Sequence, residues 1–416
     1  MSAMKKVLII GTVDTKGEQL AYLKKRIEDR GHSAILMDLS MGEVPAFRAD
    51  IVPEEVASLV GKKIEELRAS KDRLAVTEAM TAGAQQKALE LLSRGELHGV
   101  VALGGVTMAL IGARVMEKLP FGLPKLIAVP AAMPVYVPRW FDATDVAVFQ
   151  VIMEFSGMND LVKNAIEQVA GAICGMVEEG RSHRSLRLPY PSVAITEIGF
   201  SVRCAQEVER LLEERGYHVF SFHAQGISDR AMDRLISQGF FDGLIDIVPA
   251  GLIEEVLQGN RAAGMERLDA PLKRGIPVVL APCCLNLTGC GPTRKDREKY
   301  ATRPRIWKMD AMRAMTRLNE EELRLCAKLY AEKLNNAEGP VRFLIPLKGW
   351  SSIDREGTVL YDPEEDRIFV EEFKKHVKSK VEIIEVDCNL EDPEFAQALV
   401  ENFEQIFSRG RCKDER

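Results

Sequence analysis

Four apolar residues in a row, Val7 to Ile10, stop at Gly11. A short polar turn, Thr12 to Lys16, then leads through Gly17 into Leu20, Leu23 and Ile27 at helical spacing. An unbroken apolar run of this length is a buried strand, and the spacing after it is that of an amphipathic helix. Strand, tight turn and helix together open a β–α–β unit, which commits a chain to a parallel sheet with covered faces. The turn lies at the carboxyl edge of such a sheet, where the following helix offers backbone N–H groups to a ligand. It is not a Walker A loop, because Lys16 precedes Gly17. Nor is it a dinucleotide fingerprint, because Val13 stands where the second glycine belongs. Two readings remain: Gly11, Asp14, Thr15, Lys16 and Gly17 form a ligand loop, or Asp14 or Thr15 caps the helix while the glycines shape the turn.

The same grammar continues along the chain. Ser33 to Asp38 is a second strand, and Asp38 sits at its carboxyl end, where dinucleotide sites place a ribose-binding carboxylate and where a plain helix cap is also common. A loop from Gly42 to Ile51 precedes a helix with Val56, Leu59, Val60, Ile64 and Leu67 on one face, and another helix runs through Ala84, Ala88 and Leu91. Gly99 to Leu103 is a buried strand closing on Gly104-Gly105, which repeats the ligand-loop pattern. Lys125 to Pro130 is the next strand, ending in a loop through Pro138. A long helix from Asn159 to Val177 carries small residues suited to close packing against a helix or another subunit. The polar, proline-containing stretch from Glu178 to Pro191 marks the boundary between two domains, residues 1–182 and 190–416.

Beyond that boundary the chain starts again. An offset of 185 aligns Ile10 with Ile195, Arg30-Gly31 with Arg215-Gly216, and Asp38 with His223, without a gap. Duplication and the shared grammar of β–α–β units both account for this. Further strands are read at 243–248, 276–281, 341–345 and 381–386, with helices at 320–334, 363–377 and 393–407. The fold class is therefore α/β: two Rossmann-like domains, each a mainly parallel sheet flanked by helices.

With 416 residues the chain exceeds the size of a single core, and its net charge of −6 offers no basic field for nucleic acid or an anionic membrane surface. No leader-like segment and no apolar run of membrane-spanning length is visible, so a cytoplasmic location without a membrane partner is the expectation. Eight cysteines in so long a chain are not a disulfide framework. Cys283, Cys284 and Cys290 cluster after a strand, but adjacent cysteines followed by a five-residue gap fit no standard zinc or iron–sulfur spacing, and no metal site is assigned.

The stretches Ile10 to Glu18, Gly104-Gly105, Val129 to Ala132, Gly157-Met-Asn159, Phe222-His-Ala224, Arg230-Ala-Met232, Leu344 to Leu347 and Asp392 to Phe395 resemble the Tm-1-like ATP-binding domain family, the UPF0261-type proteins. The resemblance spans nearly the whole chain. It implies two α/β domains, self-association into a dimer or higher homo-oligomer and, for some relatives, ATP bound in the N-terminal half, with Mg²⁺ as its usual companion. The chain departs from the family pattern after Gly105, where Val106 to Ala109 replace a glycine-rich stretch, and after His223, where Gln225 to Asp229 do so. Bulky side chains restrict the approach of a phosphate to backbone amides, and Asp229 would add a repelling charge.

These stretches give a set of candidates. Lys16 can neutralise a phosphate or carboxylate as a point charge, and Asp14 can hold Mg²⁺ or a ribose hydroxyl. Asp38, Gly104 and Gly105 complete the cofactor-binding set. His223, among six histidines, is the catalytic candidate, as a general base or a donor to substrate. The basic run Arg294 to Arg305 is either a solvated loop or a source of one arginine for an anionic substrate, with Lys348 to Ser351 as a further contributor. The functional expectation is a nucleotide or another small anionic ligand bound between α/β domains, in an enzyme of unassigned reaction. The alternative is a non-catalytic ligand-binding or assembly subunit with a degenerate ATP site.

Overall fold

The computed structural model describes residues 4–42, 47–131, 143–180 and 186–414, with side chains through 408. The loop read at 132–138 lies outside them. Two compact units divide the chain, Met1–Leu186 and Arg187–Arg416.

In the first unit the order is β1 (Lys6–Gly11), α1 (Val13–Glu28), β2 (Ser33–Asp38), α2 (Pro53–Leu59), α3 (Ile64–Ala69), α4 (Arg73–Ser93), β3 (Gly99–Leu103), α5 (Val106–Glu117), β4 (Lys125–Val129), β5 (Ala147–Gln150) and α6 (Asp160–Glu179). Among the described residues the strands form one parallel sheet in the order β2-β1-β3-β4-β5. Strand side chains alternate between two cores. Leu8 and Ile10 pack with α4 and α5 on one face, and Val7 and Ile9 pack with α1 and α6 on the other. The helices keep to the faces their apolar stripes dictate, and Asn159 starts α6 by accepting the Leu161 and Val162 amides at 3.1 Å.

The second unit runs β6 (Ser192–Glu197), α7 (Val202–Glu214), β7 (His218–His223), α8 (Ile227–Ser237), β8 (Gly243–Asp246), α9 (Gly251–Val256), α10 (Asp269–Lys273), β9 (Val278–Leu280), β10 (Leu287–Gly289), α11 (Glu298–Ala301), β11 (Ile306–Lys308), β12 (Ala314–Arg317), α12 (Glu320–Leu334), β13 (Val341–Pro346), α13 (Pro363–His376), β14 (Val381–Val386) and α14 (Pro393–Asp414). Its main sheet is parallel, in the order β7-β6-β8-β9-β13-β14, and β10, β12 and β11 form a small antiparallel sheet. The first strands of both units thus follow one order, in which the chain steps to one side of its first strand and then to the other. Such a reversal opens a crevice at the carboxyl ends of the first and third strands.

Register supports the internal alignment to within one residue. Asp38 pairs with Gly11, whereas His223 pairs with Glu197, one position beyond the equivalent of Gly11. Gly31 and Gly216, which close the aligned Arg-Gly turns, have φ of +85° and +83°.

Candidate functional site

The crevice of the first unit is built by the two loops read as ligand loops. A cavity of about 370 Å³ is bounded by Thr12, Asp14 and Thr15 after β1 and by Gly105, Val106 and Thr107 after β3, over an apolar floor that includes Met80 and Met108. Gly11 ends β1 where a Cβ would stand 2.6 Å from both Leu20 methyls, so its glycine lets α1 seat against the strand. Gly104 is held to glycine by Met108, whose Cβ a side chain there would meet at 2.8 Å. Gly105 faces open space. Val106 sits partly exposed on the cavity wall.

Asp14 is the polar centre of the loop. One carboxylate oxygen, Oδ2, accepts the Gly42 amide at 2.9 Å, while Oδ1 is buried and has no hydrogen-bond partner among the described residues. Asp14 and Thr15 also line a second, larger cleft of about 820 Å³ with Lys16, Gly17, Gln19 and Gly157. The backbone leaves helical angles at Lys16 (φ −131°, ψ 25°), which separates the first turn of α1 from the rest of the helix. Lys16 Nζ donates to the Phe155 carbonyl at 2.8 Å, and Gln19 Nε2 donates to the Gly157 carbonyl at 2.8 Å. The lysine thus turns toward the larger cleft and away from the apolar-floored cavity.

Asp38 reaches the loop from β2 but turns into it. Its Oδ1 accepts the Val13 and Ser40 amides, both at 2.9 Å, and the Ser40 hydroxyl. With 1% of its surface exposed, it braces the first turn of α1 and does not face the cavity. The cap reading, made for Asp14 and Thr15, is satisfied by this neighbouring strand. Thr15 instead shares a hydroxyl contact of 2.7 Å with Thr12.

In the second unit His223 is exposed at the end of β7. It borders a cavity of about 200 Å³ with Phe200, Glu254, Arg261 and Trp307, four residues that the sequence reading did not select. Asp229 does not act as a repelling charge. It is buried, accepts the Gly226 amide at 2.7 Å, and meets Arg267 Nε at 3.3 Å. Arg267 also binds Asp233 at 3.1 Å and Asp246 at 2.6 Å, and Thr196 ties the end of β6 to Asp246 at 2.7 Å. The ends of β6 and β8 are knitted together by these side chains.

The arginines of the basic run are already engaged. Arg303 takes both oxygens of Glu322 at 2.9 Å, Arg305 pairs with Asp362 and Glu365, and Arg294 is buried over the Tyr300 ring at 3.8 Å. None is presented to an anionic ligand as the sharper reading required. Lys348 pairs with Asp387, and Trp350 is buried. Cys283 and Cys284 are fully buried with sulfurs 3.8 Å apart. Burial pushes the Cys283 thiol well up, whereas the Cys283 hydrogen bond and then the Arg261 charge hold Cys284 below the usual thiol range against its own burial. Among the described residues no group of three or more His, Cys, Asp or Glu side chains is arranged to hold a metal ion. No described helix is long and apolar enough to cross a membrane.

Fold and crevice together define a two-unit, doubly wound α/β protein with a cavity-lining loop at the switch point of its N-terminal unit. The chain belongs to the uncharacterised protein family UPF0261, whose N-terminal domain model matches residues 5–182 and whose C-terminal domain model matches residues 190–407. A UPF0261 protein of Clostridium tetani is 34% identical over 396 residues, covering 95% of this chain and 97% of that protein. The tomato (Solanum lycopersicum) ToMV resistance protein Tm-1(GCR237) is 27% identical over 427 residues, which is 98% of this chain and 56% of the tomato protein. A solved UDP-GlcNAc 2-epimerase from Methanocaldococcus jannaschii aligns over 96% of this chain and 92% of its own, at 12% identity and a TM-score of 0.21. A score that low transfers neither ligand nor reaction.

Proposed function

We propose that the N-terminal unit binds a nucleotide, or a small anionic ligand of similar build, at the β1–α1 loop. One observation carries the reading: the loops after β1 and β3 meet around a cavity that Asp14 lines, and Asp14 Oδ1 is buried with no hydrogen-bond partner among the described residues. A buried carboxylate oxygen left unpaired is costly, and a ribose hydroxyl or a Mg²⁺-bound water would satisfy it. The apolar floor suits a base, and Lys16 and Gly17, in the larger cleft that shares Asp14 and Thr15, suit the anionic portion. Binding, and no particular reaction, is what these residues support. In the second unit His223, on the lining of the smaller cavity, is the candidate acid or base.

A second reading, a non-catalytic subunit with a degenerate site, is favoured by the prior engagements of Lys16 with Phe155 and of Asp38 with Val13. Calorimetric titration with ATP and Mg²⁺ separates the two. Binding in the micromolar to millimolar range, weakened at least tenfold (about 1.4 kcal/mol) by Asp14→Ala with unchanged thermal unfolding, supports a nucleotide site. No heat at millimolar ATP removes it.

A further inference from the structure

The cavity of about 200 Å³ in the C-terminal unit is separate from the nucleotide loop and is built differently. We propose that it is a binding site for a small, single-ring carboxylic acid, with the carboxylate received by Arg261 and the ring laid against Trp307. This stands whether or not the first unit binds a nucleotide.

The argument begins with the guanidinium. Arg261 is 6% exposed, and its Nη2 donates to Glu254 Oε1 at 3.0 Å and to the Leu287 carbonyl at 3.3 Å. Its Nη1 is buried with no hydrogen-bond partner within normal geometry among the described residues, and the guanidinium also lies against the Cys284 thiol. A buried donor left unmade is costly, so a ligand oxygen that reached it would gain what the protein alone forgoes. Glu254, 1% exposed, is fixed by Arg261 and by the Thr288 hydroxyl at 2.7 Å. Its charge already balances much of the arginine, and it would repel a phosphate dianion about twice as strongly as a monoanion brought beside it. A monoanionic carboxylate, with one or two oxygens and a planar shape matching the guanidinium, meets both conditions.

The walls select the rest of the molecule. Phe200 and Trp307 meet edge to face, with centroids 5.6 Å apart and planes at 89°, which leaves flat aromatic surface for a third ring. Met309, Met312 and Met315 add polarizable, adaptable contacts. The volume is below the roughly 300–1,000 Å³ usual for drug-sized ligands, which limits the occupant to one ring. His223 and Asn260 stand on the lining as further polar groups.

The test uses the full-length protein without nucleotide and three probes that share one ring: benzoate, benzamide and phenyl phosphate. In ligand-observed NMR titrations benzoate should bind at low millimolar or better, and benzamide and phenyl phosphate at least tenfold more weakly. Met312→Trp, at an exposed lining position, should fill the mouth and weaken benzoate at least tenfold with the thermal melt unchanged. Arg261→Lys, judged only if its melt shows a folded protein, should do the same. Asp14→Ala should leave benzoate affinity as it is, which keeps this result distinct from the fate of the nucleotide loop. The proposal is overturned by absence of benzoate binding at roughly 10 mM, where an interaction of about 3 kcal/mol would register. Equal binding of benzamide overturns the carboxylate, and unchanged affinity in Met312→Trp overturns the location.

Discussion

Asp366, on α13, shows how much a single buried group can set. Its Oδ1 accepts from Asn286 at 2.7 Å and from Arg317, while Oδ2 is buried with no partner among the described residues. Burial, and next the charge of Asp354, push its carboxyl up to about 8. The folded state therefore keeps a proton that the unfolded chain releases near pH 4, and the stability this gives is complete below pH 4 and lost as pH rises through about 8. Asp233, pushed up to about 6 chiefly by burial, acts with the same sign, so the informative quantity is a difference between proteins. Asp366→Asn keeps an oxygen for Asn286 and Arg317 and cannot ionise. Between pH 5 and pH 8 the wild type should lose on the order of 2 kcal/mol more stability than Asp366→Asn in urea unfolding. Equal slopes would mean that Asp366 is ionised throughout. None of this is legible in the sequence, where Asp366 is one acid in a charged helix start. Its partners Asn286, Arg317 and Asp354 lie 12 to 80 positions away.

At the scale of elements the legible part is what local chemistry dictates. The apolar run Val7 to Ile10, the spacing Leu20, Leu23 and Ile27, and the helical pattern from Asn159 to Val177 all specify their elements without help from distant residues, and the strand and helices stand where those signals put them. What escaped were short pieces whose conformation is set by neighbours. β10, β11 and β12 have three or four residues each and hold through antiparallel pairing, so the region read as loop and basic run is part of a small sheet. The loop residues of the first site were selected from sequence because a ligand loop and a helix start share a signature. Arg261 and Glu254 were missed because their meaning comes from meeting across a cavity. The close seat of α1 on β1 gives a direct check. Gly11→Ala should cost about 1–3 kcal/mol by overpacking against Leu20, and Leu20→Ala about 2–5 kcal/mol by cavity formation. The double variant should be clearly more stable than the sum of the two predicts, because the added methyl enters the space that Leu20 vacates. Additive losses in denaturant unfolding would show that the two residues do not share that space.

For the whole chain, what matters is that every described core cluster lies within one unit. The large cluster of the second unit gathers residues from Val193 to Phe407, among them Phe343, Phe369 and Phe395, and the two clusters of the first unit flank its own sheet. Each unit also repeats the strand order that places a crevice beside its first strand. A unit with its own closed set of apolar contacts is expected to fold alone. Residues 187–416, expressed separately, should show a single cooperative thermal transition and should bind benzoate with the affinity of the intact chain, since Arg261, Glu254 and Trp307 all belong to this unit. A folded fragment that has lost benzoate binding would place part of that site's support in residues 1–186. A fragment without a cooperative transition would show that the second core needs the first half of the chain to form.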